Sequence, residues 1–490
     1  MKHRDASGDE RAERVVLKVR SPTARFSSAV ALFGASCWLV LLLARNHHHL
    51  DWHSSGQLAW WMAILAAVAL IARGILLGRP VTAGHAAAAL ATVSVGLGAH
   101  VLSLSLLGNL LIAAAGLVLM WPTRAPAQPG ALPRVWTLVT RTHGDPLAPF
   151  TMQRRKSYHF NADDTAVIAY RTLLGFAVVS GDPIGEATRL HALVADFAAM
   201  CRSRGWRIVV LGCSQRRLRL WSDPAVIGQD LRPIPIGRDV VINVAGFHMD
   251  GRKFRNLRQA VQRTHNAGIT TTVVAEADLD ETQRGELSEV IVNSPSGART
   301  ERGFSMILDG ALHGGHPGIE LIIARDREGR VQGFHRYTVA GAGSDVSLEA
   351  PWRRRNAPNG IDERLSVDMI RWARAAEARR LSLAFAPFPE IFHDKDRGPV
   401  PRLLYLLIHL GDAFIRLESL YRYLRKFNAL GARRYVLVSM RQLLPALGAL
   451  LILEFAPRRR HLPVAADGCL KTRPLSSTLL SCQAPRGVVQ

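Results

Sequence analysis

The chain has 490 residues, 48% of them hydrophobic, and its 62 basic and 39 acidic side chains give a net charge of +23. This length is too great for one ordinary domain, and the charge favours a polyanionic partner: RNA, DNA or an anionic membrane leaflet. The cysteines are odd in number and contain no CxxC pair, which excludes a disulfide framework or a zinc ribbon and fits a reducing cytoplasmic location. They are Cys37, Cys201, Cys213, Cys469 and Cys482.

Long apolar stretches precede Trp121, and each approaches the ~20 residues that a membrane-spanning helix needs. The four stretches are Phe26–Ala44, Leu58–Gly78, Val81–Leu102 and Ser103–Trp121, the last two joined by a tight hairpin near His100. Lysines and arginines flank the N-terminus, the second connection and the segment after Trp121. The positive-inside rule therefore predicts an inner-membrane protein whose N-terminus and large C-terminal part are cytoplasmic, and it accounts for part of the net charge.

The first connection contains four histidines and an aspartate, within residues 45–53. Histidine and carboxylate side chains are metal ligands. We interpret this segment instead as an interfacial loop with Trp52 at headgroup level, and we expect no metal site.

Short apolar runs alternate with amphipathic ones beyond the linker at residues 123–134. The order strand, strand, helix, strand occurs once before residue 268 and again after it, which predicts α/β sandwich units in tandem. We divide the chain into a basic tail (1–25), a transmembrane region (26–122), the linker, two α/β units (135–268 and 269–456) and a disordered tail (457–490). Leu443–Phe455 is apolar but too short to span, so we expect it to pack on the domain or lie at the interface.

Two segments of the first unit carry candidate site residues. SGDPIG at residues 180–185 follows a strand, and its turn would place Asp182 at the mouth of the sheet, although such a segment is usually only a turn. GRKFRNLR at residues 251–258 predicts a helix with Arg255, Arg258 and Gln262 on one face. That face, together with Lys253, suits phosphates of tRNA or lipid, or is simply solvated.

Two segments of the second unit carry carboxylates. ERGFSM at residues 301–306 places Glu301 before a Gly-Phe turn, where by itself it would be a loop carboxylate paired with Arg299 or Arg302. APNGIDERL at residues 357–365 lies between a strand and a helix, where Asn359, Gly360 and exposed helical N–H groups could hold an anion or oxyanion. Asp362 follows as a candidate catalytic carboxylate; the alternative is an N-cap with stabilising acids in the first turn.

LYRYLRKFN at residues 420–428 is followed by a basic strand. The segment and the strand contain the cations Lys426 and Arg434, whereas Tyr421 and Tyr423 are better explained as core residues. Together the five segments resemble the C-terminal synthase domain of the lysyl-phosphatidylglycerol synthases, over roughly residues 135–445. The resemblance implies a membrane α-helical region followed by two tandem acetyltransferase-like (GNAT-like) units.

The resemblance also implies an activity: transfer of an amino acid, lysine in that family, from aminoacyl-tRNA to phosphatidylglycerol. The partners would be anionic phospholipid, aminoacyl-tRNA and the membrane, with a homo-oligomer left open. No cofactor is expected, because the aminoacyl-tRNA ester is already activated. Glu301 or Asp362 would stand near the attacking hydroxyl, with Asp182 also in the site, while Asn359 would hold the oxyanion and Lys253, Arg258, Gly360, Lys426 and Arg434 would bind phosphates.

Other functions stay open at this stage. One is an acyltransferase that uses another donor, such as acyl-CoA, or another acceptor; the absence of a convincing Gly-rich pyrophosphate loop argues mildly against acyl-CoA. Another is a non-catalytic scaffold that grips anionic lipid. Since only about four helices precede the domain, a flippase function is doubtful, and there is no room for the fused lysyl-tRNA synthetase of some relatives.

Overall fold

The computed structural model describes residues 15–17, 21–46, 55–294, 300–301, 303–387, 420–460 and 462. The side chain of Glu301, the histidines of the first connection, most of the basic tail and nearly all of the predicted disordered tail lie outside this description. The predictions for these parts of the chain therefore stay predictions.

The N-terminal region is a bundle of apolar helices: α1 (Pro22–Asn46), α2 (Ser55–Leu76), α3 (Ala83–Val101) and α4 (Ser105–Leu119). The first three are long and apolar enough to cross a membrane. The fourth predicted span forms a helix of only 15 residues, which is shorter than expected. The reason is that residues 102–104 form the turn of the predicted hairpin between α3 and α4. Ser103 turns the chain there with φ +60°. A small antiparallel pair, β1 (Val15–Leu17) and β2 (Val81–Thr82), joins the tail to the start of α3.

The C-terminal region is built on one twisted sheet of twelve strands, in the order β3-β4-β5-β7-β15-β8-β14-β13-β12-β11-β9, with β6 beside β4. The strands are β3 (Ser157–Phe160), β4 (Ala166–Leu173), β5 (Phe176–Ser180), β6 (Ile184–Gly185), β7 (Arg207–Ser214), β8 (Arg232–Asn243), β9 (Thr270–Ala275), β11 (Ile319–Arg325), β12 (Val331–Ala340), β13 (Asp345–Arg353), β14 (Arg380–Pro387) and β15 (Leu430–Val438). A separate ribbon pairs β10 (Thr300–Glu301) with β16 (Arg458–Arg459).

The helices around this sheet are α5 (Leu132–Arg141), α6 (Leu190–Ser203), α7 (Pro224–Ile227), α8 (Arg255–Asn266), α9 (Glu281–Val292), α10 (Ile361–Ala375) and α11 (Leu443–Phe455). A further short helix covers residues 420–425. The predicted combination of apolar N-terminal helices and a mixed α/β domain is thus confirmed.

The same arrangement of elements occurs twice in the sheet. Each copy consists of three antiparallel strands, a helix, and a last strand that runs parallel to the third strand. The first copy is β3-β4-β5-α6-β7 and the second is β11-β12-β13-α10-β14. However, β15 comes from the range predicted for the second unit and lies between β7 and β8 of the first. The repeat supports two tandem units, while the crossing strand joins them into one continuous sheet.

The two faces of the sheet are covered by different helices. Val346 and Leu348 pack in one cluster with Ile361 of α10 and Leu257 of α8. Side chains alternate between the faces of a strand, so the neighbouring residues of β13 point to the opposite face, which α5 and α9 cover. Below, these are called the α8–α10 face and the α5–α9 face.

The bundle of apolar helices rests on one edge of the domain. Trp206 Nε1 donates a hydrogen bond to the carbonyl oxygen of Thr123, 2.9 Å away, just after α4. Gly205 approaches the Gly78 carbonyl so closely that a Cβ atom would lie 2.6 Å from its oxygen. Gly175 lies beside Pro122, where a Cβ atom would be at an ordinary contact distance of 3.4 Å from the proline ring. Because these glycines and Trp206 precede β5 and β7, the ends where those two strands begin face the bundle.

Candidate active site

A buried arginine organises the centre of the domain. Arg434 of β15 is 1% exposed and donates to Asp239 of β8 at 3.0 and 2.8 Å. It also donates to Asp145 at 2.7 Å and to the Gly212 carbonyl at 3.0 Å, and its guanidinium lies 3.6 Å from Asp182. Three carboxylates thus share one cation inside the fold. Arg434 is therefore engaged by carboxylates, and in this structure it is not the free phosphate-binding cation that we expected.

The charge of this cluster is incompletely balanced. Burial raises the pKa of Asp182, and the nearby Asp145 raises it further, while Arg434 and the backbone N–H of Ser214 lower it. Burial also raises the pKa of Asp239, against the lowering effect of Arg434. One oxygen of Asp182 has no hydrogen-bond partner among the described residues. The cluster therefore holds more negative than positive groups, a setting that favours a bound cation or a shared proton.

A cavity of about 200 Å³ adjoins this cluster at the centre of the sheet. It is lined by Gly144, Asp239, Asp345, Ser347, Arg380 and Ser382, among others. Arg380 pairs with Asp345 at 2.6 and 3.2 Å. Burial raises the pKa of Asp345, but the hydrogen bonds and charge of Arg380 help to lower it below its ordinary value. The cavity is small, and its lining surface is mostly apolar although Asp239, Asp345 and Arg380 border it; its dimensions suit one amino-acid side chain rather than a lipid tail.

A buried lysine connects the 180–185 segment with the 301–306 segment. Lys156 Nζ donates to the Phe150 carbonyl at 2.6 Å and to Ser180 Oγ at 2.8 Å, and it lies 5.0 Å from the centre of the Phe304 ring. Burial lowers the pKa of Lys156 to about 7. Glu454 of α11 accepts hydrogen bonds from the backbone N–H groups of Phe304 and Ser305, both at 2.9 Å. The two segments, far apart in the chain, are thus neighbours.

A second polar cluster lies on the α8–α10 face. His335 of β12 is fully buried, and its Nε2 lies 3.2 Å from Asp362 at the start of α10. Arg353 lies 3.5 Å from the other oxygen of Asp362. Burial raises the pKa of Asp362. The hydrogen bond and charge of His335, together with the charges of Arg353 and Lys426, outweigh burial and lower this pKa below its ordinary value. The Asp362 side chain is 24% exposed, so a substrate can reach this carboxylate.

The neighbouring residues complete this cluster. Lys426 Nζ pairs with Glu363 at 2.5 Å, so the predicted phosphate-binding lysine has a carboxylate partner. Ser366 bonds to the hydroxyl of Tyr423 and lies 3.4 Å from that of Tyr337. Tyr421 and Tyr423 pack in and against the core, as predicted.

The start of α10 is shaped by a glycine. Gly360 has φ +100° and lies against α8, where a Cβ atom would be 2.7 Å from the Ala260 carbonyl oxygen. Any other residue would be strained there, so Gly360 sets the docking of α10 on α8. Asn359 is exposed beside it, and the first turn of α10 carries Asp362 and Glu363, as acids at a helix N-terminus commonly do.

The predicted basic helix forms with the expected faces. Leu257 and Val261 of α8 are buried, whereas Lys253, Arg255 and Arg258 are exposed. Arg258 donates to the carbonyl oxygens of Met249 and Gly251, which holds its guanidinium over the start of the helix. This cationic face lies on the same side of the sheet as Asp362.

The structure therefore sorts the predicted site residues into two groups. Asp182 and Arg434 lie together, near the 303–306 segment, while Asp362, Gly360, Asn359 and Lys426 lie on the α8–α10 face with the basic helix. Asp182 contacts Arg434 and Ser214, whereas Asp362 contacts His335 and Arg353. Among the described residues the two groups are therefore separate clusters, whereas the resemblance implies one site. Residues 303–306 join the first group, and Glu301 lies in β10 with its side chain outside the description.

Several central polar residues escaped the sequence analysis: Asp145, Asp239, Lys156 and His335. Asp239 and His335 stand beside apolar runs, and a polar residue in such a run is itself a signal of a buried polar site. Lys156 follows Arg154 and Arg155, so its local sequence gives no such signal. Asp145 sits in a Gly-Asp-Pro loop that is formally like the one at residues 181–183. Among the described residues, no group of three or more His, Cys, Asp or Glu side chains is placed to hold a metal ion.

Comparison with known proteins matches this domain to a single family. Residues 136–438 match the family described as phosphatidylglycerol lysyltransferase, C-terminal. The MprF-like domain protein Rv1619 of Mycobacterium tuberculosis is 62% identical over 450 residues, which cover 92% of this chain and 93% of that protein. The lysylphosphatidylglycerol biosynthesis bifunctional protein LysX of Gordonia bronchialis is 28% identical over 71% of this chain, and the match spans only 31% of LysX.

Two solved structures share the fold. The C-terminal domain of a lysylphosphatidylglycerol synthetase from Agrobacterium fabrum superposes with a TM-score of 0.57 at 20% identity, covering 68% of this chain and all of that domain. L-PGS from Bacillus licheniformis gives a TM-score of 0.57 at 17% identity, covering 68% of this chain and 98% of that one. At such identities the likeness concerns the fold of the sheet and its helices.

Proposed function

We propose, from the premise that this chain belongs to the phosphatidylglycerol lysyltransferase family, that it transfers an amino acid from aminoacyl-tRNA to phosphatidylglycerol at a membrane surface. The amino acid that we propose is lysine. The observation that carries the proposal is the extent of the family match, from α5 to β15, which includes the whole sheet and both polar clusters. The apolar helices that rest on this sheet would keep the domain within reach of lipid headgroups.

The donor would approach the α8–α10 face. Exposed cations there, Lys253, Arg255 and Arg258, suit the phosphates of the tRNA acceptor end. The exposed Asn359, just before α10, could donate its side-chain N–H groups to a phosphate or a developing oxyanion. These features support a nucleic-acid contact on this side and leave the opposite side of the domain for lipid.

The chemistry needs no cofactor. A glycerol hydroxyl of phosphatidylglycerol attacks the aminoacyl ester carbonyl; a new carbon–oxygen bond forms, and the bond to the ribose oxygen of the tRNA breaks. The hydroxyl proton passes to the departing ribose oxygen, and a carboxylate can relay it. We assign this relay to Asp362, because its side chain is partly exposed and is oriented by the buried His335. Glu301 remains the second candidate from the sequence.

We further propose that the domain and the N-terminus face the cytoplasm, where aminoacyl-tRNA is found. The end of the bundle that contacts the domain carries Arg25, Arg79 and Arg124, in agreement with the positive-inside rule. A protease added to intact spheroplasts should leave the domain uncut and should degrade it after lysis. Digestion in intact spheroplasts would reverse this orientation.

The transfer is tested with the purified full chain in phosphatidylglycerol vesicles and radiolabelled lysyl-tRNA. Labelled lipid should appear, and ribonuclease treatment of the donor should abolish it. Asp362→Asn should lose most of the activity and keep the melting temperature, whereas the exposed Asp278→Asn, which makes the same chemical change elsewhere, should retain it. Transfer from acyl-CoA that is insensitive to ribonuclease would favour another acyltransferase, and lipid binding without any product would favour a scaffold.

A further inference from the structure

Helix α11 is apolar on both of its long faces. Ala446, Ala449 and Leu453 are buried against β5, β7 and β15. A stripe on the other side is exposed to between 44% and 81%, and it consists of Leu444, Leu447, Leu451, Ile452 and Phe455. A helix on a domain surface normally turns a polar face to water, so a continuous apolar stripe of this kind marks a contact surface.

The position of α11 indicates what covers this stripe. β15 runs antiparallel to β7, with Leu437 opposite Val210, so the chain leaves β15 at the edge where β7 begins. That is the edge on which the bundle of apolar helices rests, through Gly205 and Gly175. Helix α11 starts five residues beyond the end of β15, after the exposed Met440 and Arg441. Its stripe therefore lies close to the plane that the ends of the spanning helices define.

The other end of α11 reaches the 303–306 segment. The carboxylate of Glu454, the one charged side chain of this helix, accepts the N–H groups of both Phe304 and Ser305. From the core side, Gln153 donates to the Ile307 carbonyl at 2.8 Å. The segment is thus held between the helix and the core, and a displacement of α11 would move it.

We propose that α11 is an interfacial helix whose exposed stripe lies in the headgroup–acyl boundary of the bilayer that α1, α2 and α3 cross, and that Glu454 links this contact to the 303–306 segment. A helix at this depth buries its exposed apolar side chains in lipid and leaves flanking cations, here Arg441, at the headgroups. The contact of α11 with the membrane surface then fixes the position of the 303–306 segment through Glu454. This contact is independent of the reaction proposed above.

The test uses the full chain, with Cys37, Cys469 and Cys482 replaced by serine, in vesicles of phosphatidylglycerol and phosphatidylcholine. An environment-sensitive fluorophore is attached at Leu451→Cys or, as a matched control, at the exposed Gln259→Cys on α8. Doxyl-labelled lipid should remove most of the emission at position 451 and little of that at position 259. Because Leu451 is on the exposed side, its replacement leaves the packed face of α11 intact.

Other results would overturn the proposal. Quenching of position 451 by aqueous iodide instead of doxyl lipid would place the stripe in water. Protection from both quenchers would mean that protein covers it, either a second copy of the chain or another segment of this one. The quenching is read without any donor or product, so its outcome is separate from that of the transfer assay.

Discussion

Replacement of Arg434 by glutamine should destabilise the domain strongly. The guanidinium is buried and engages Asp145, Asp239 and Asp182, and glutamine would leave those carboxylates without a cation. Removal of one partner from a buried ion pair costs about 3–5 kcal/mol, because the remaining charge stays buried and unpaired. Because the unfolding entropy grows with size, each kcal/mol corresponds to roughly 1.6 °C in melting temperature for a domain of about 300 residues, so a decrease of about 5–8 °C is expected.

The dependence on pH identifies the cause. The pKa values of Asp182 and Asp239 are raised by burial, and Arg434 is the group that lowers them most. Without it both should rise further above the ~3.9 of an unfolded aspartate. The folded state then binds more protons than the unfolded state, so the unfolding free energy falls as pH rises through the folded pKa values. The variant should therefore lose more stability, relative to the native chain, at about pH 8 than at about pH 5.

The assay is a melting curve of the full chain in detergent across this pH range. Arg433→Gln, an identical change at the exposed neighbouring position, is the control and should shift the melting temperature little. If Arg434→Gln melted like the control, or if its loss of stability were the same at both pH values, the account of an arginine that compensates three buried carboxylates would be refuted.

Two further predictions concern cations in different surroundings. Lys156 is buried with a pKa of about 7, so on raising the pH it loses its proton in the folded state before it does in the unfolded state. The unfolding free energy should therefore rise with pH between about 7 and the ~10.4 of an unfolded lysine. Lys156→Met should remove this rise from a series of melting curves. Lys253→Gln on the exposed basic face should weaken binding of aminoacyl-tRNA and reduce the slope of log affinity against log salt by about one, with Gln259→Ala leaving both unchanged.

Local patterns predicted the elements well. The apolar runs at residues 166–170 and 207–212 predict strands and lie within β4 and β7, and the amphipathic pattern at residues 190–204 predicts a helix, which forms as α6. The segment Asp326–Gly329 has the composition of a hairpin turn, and it joins β11 to β12, closed by hydrogen bonds from the N–H groups of Asp326 and Gly329. Such features depend on residues a few positions apart, so one sequence contains the information needed.

The partners of the charged residues could not be predicted in the same way. Arg434 meets Asp145 from 289 positions away and Asp239 from 195. Lys426 and Glu363 come together because helix 420–425 and α10 pack in one cluster. A basic residue that binds a phosphate and a basic residue that forms an ion pair with a carboxylate of the same chain have the same local sequence pattern. The insertion of β15 between β7 and β8 is equally non-local, and it brings Arg434 to the three aspartates.

The sheet itself separates the α8–α10 face, where we place the donor and Asp362, from the opposite face, where we place the lipid. The proposed transfer therefore needs a passage through the sheet in which the ester carbonyl lies within reach of both. β13 and β14 pair over only three residues, the last pair being Ser347 and Ser382, and β14 then continues beside β8. The 200 Å³ cavity lies at this divergence, and Ser347 Oγ is buried without a partner among the described residues. We expect the aminoacyl group to occupy this cavity.

Ser347→Leu should fill the cavity and abolish lipid aminoacylation while tRNA and vesicle binding persist, whereas Ser347→Ala, which removes only the hydroxyl, should keep most of the activity. Equal activity of the two variants would show that the aminoacyl group takes another route.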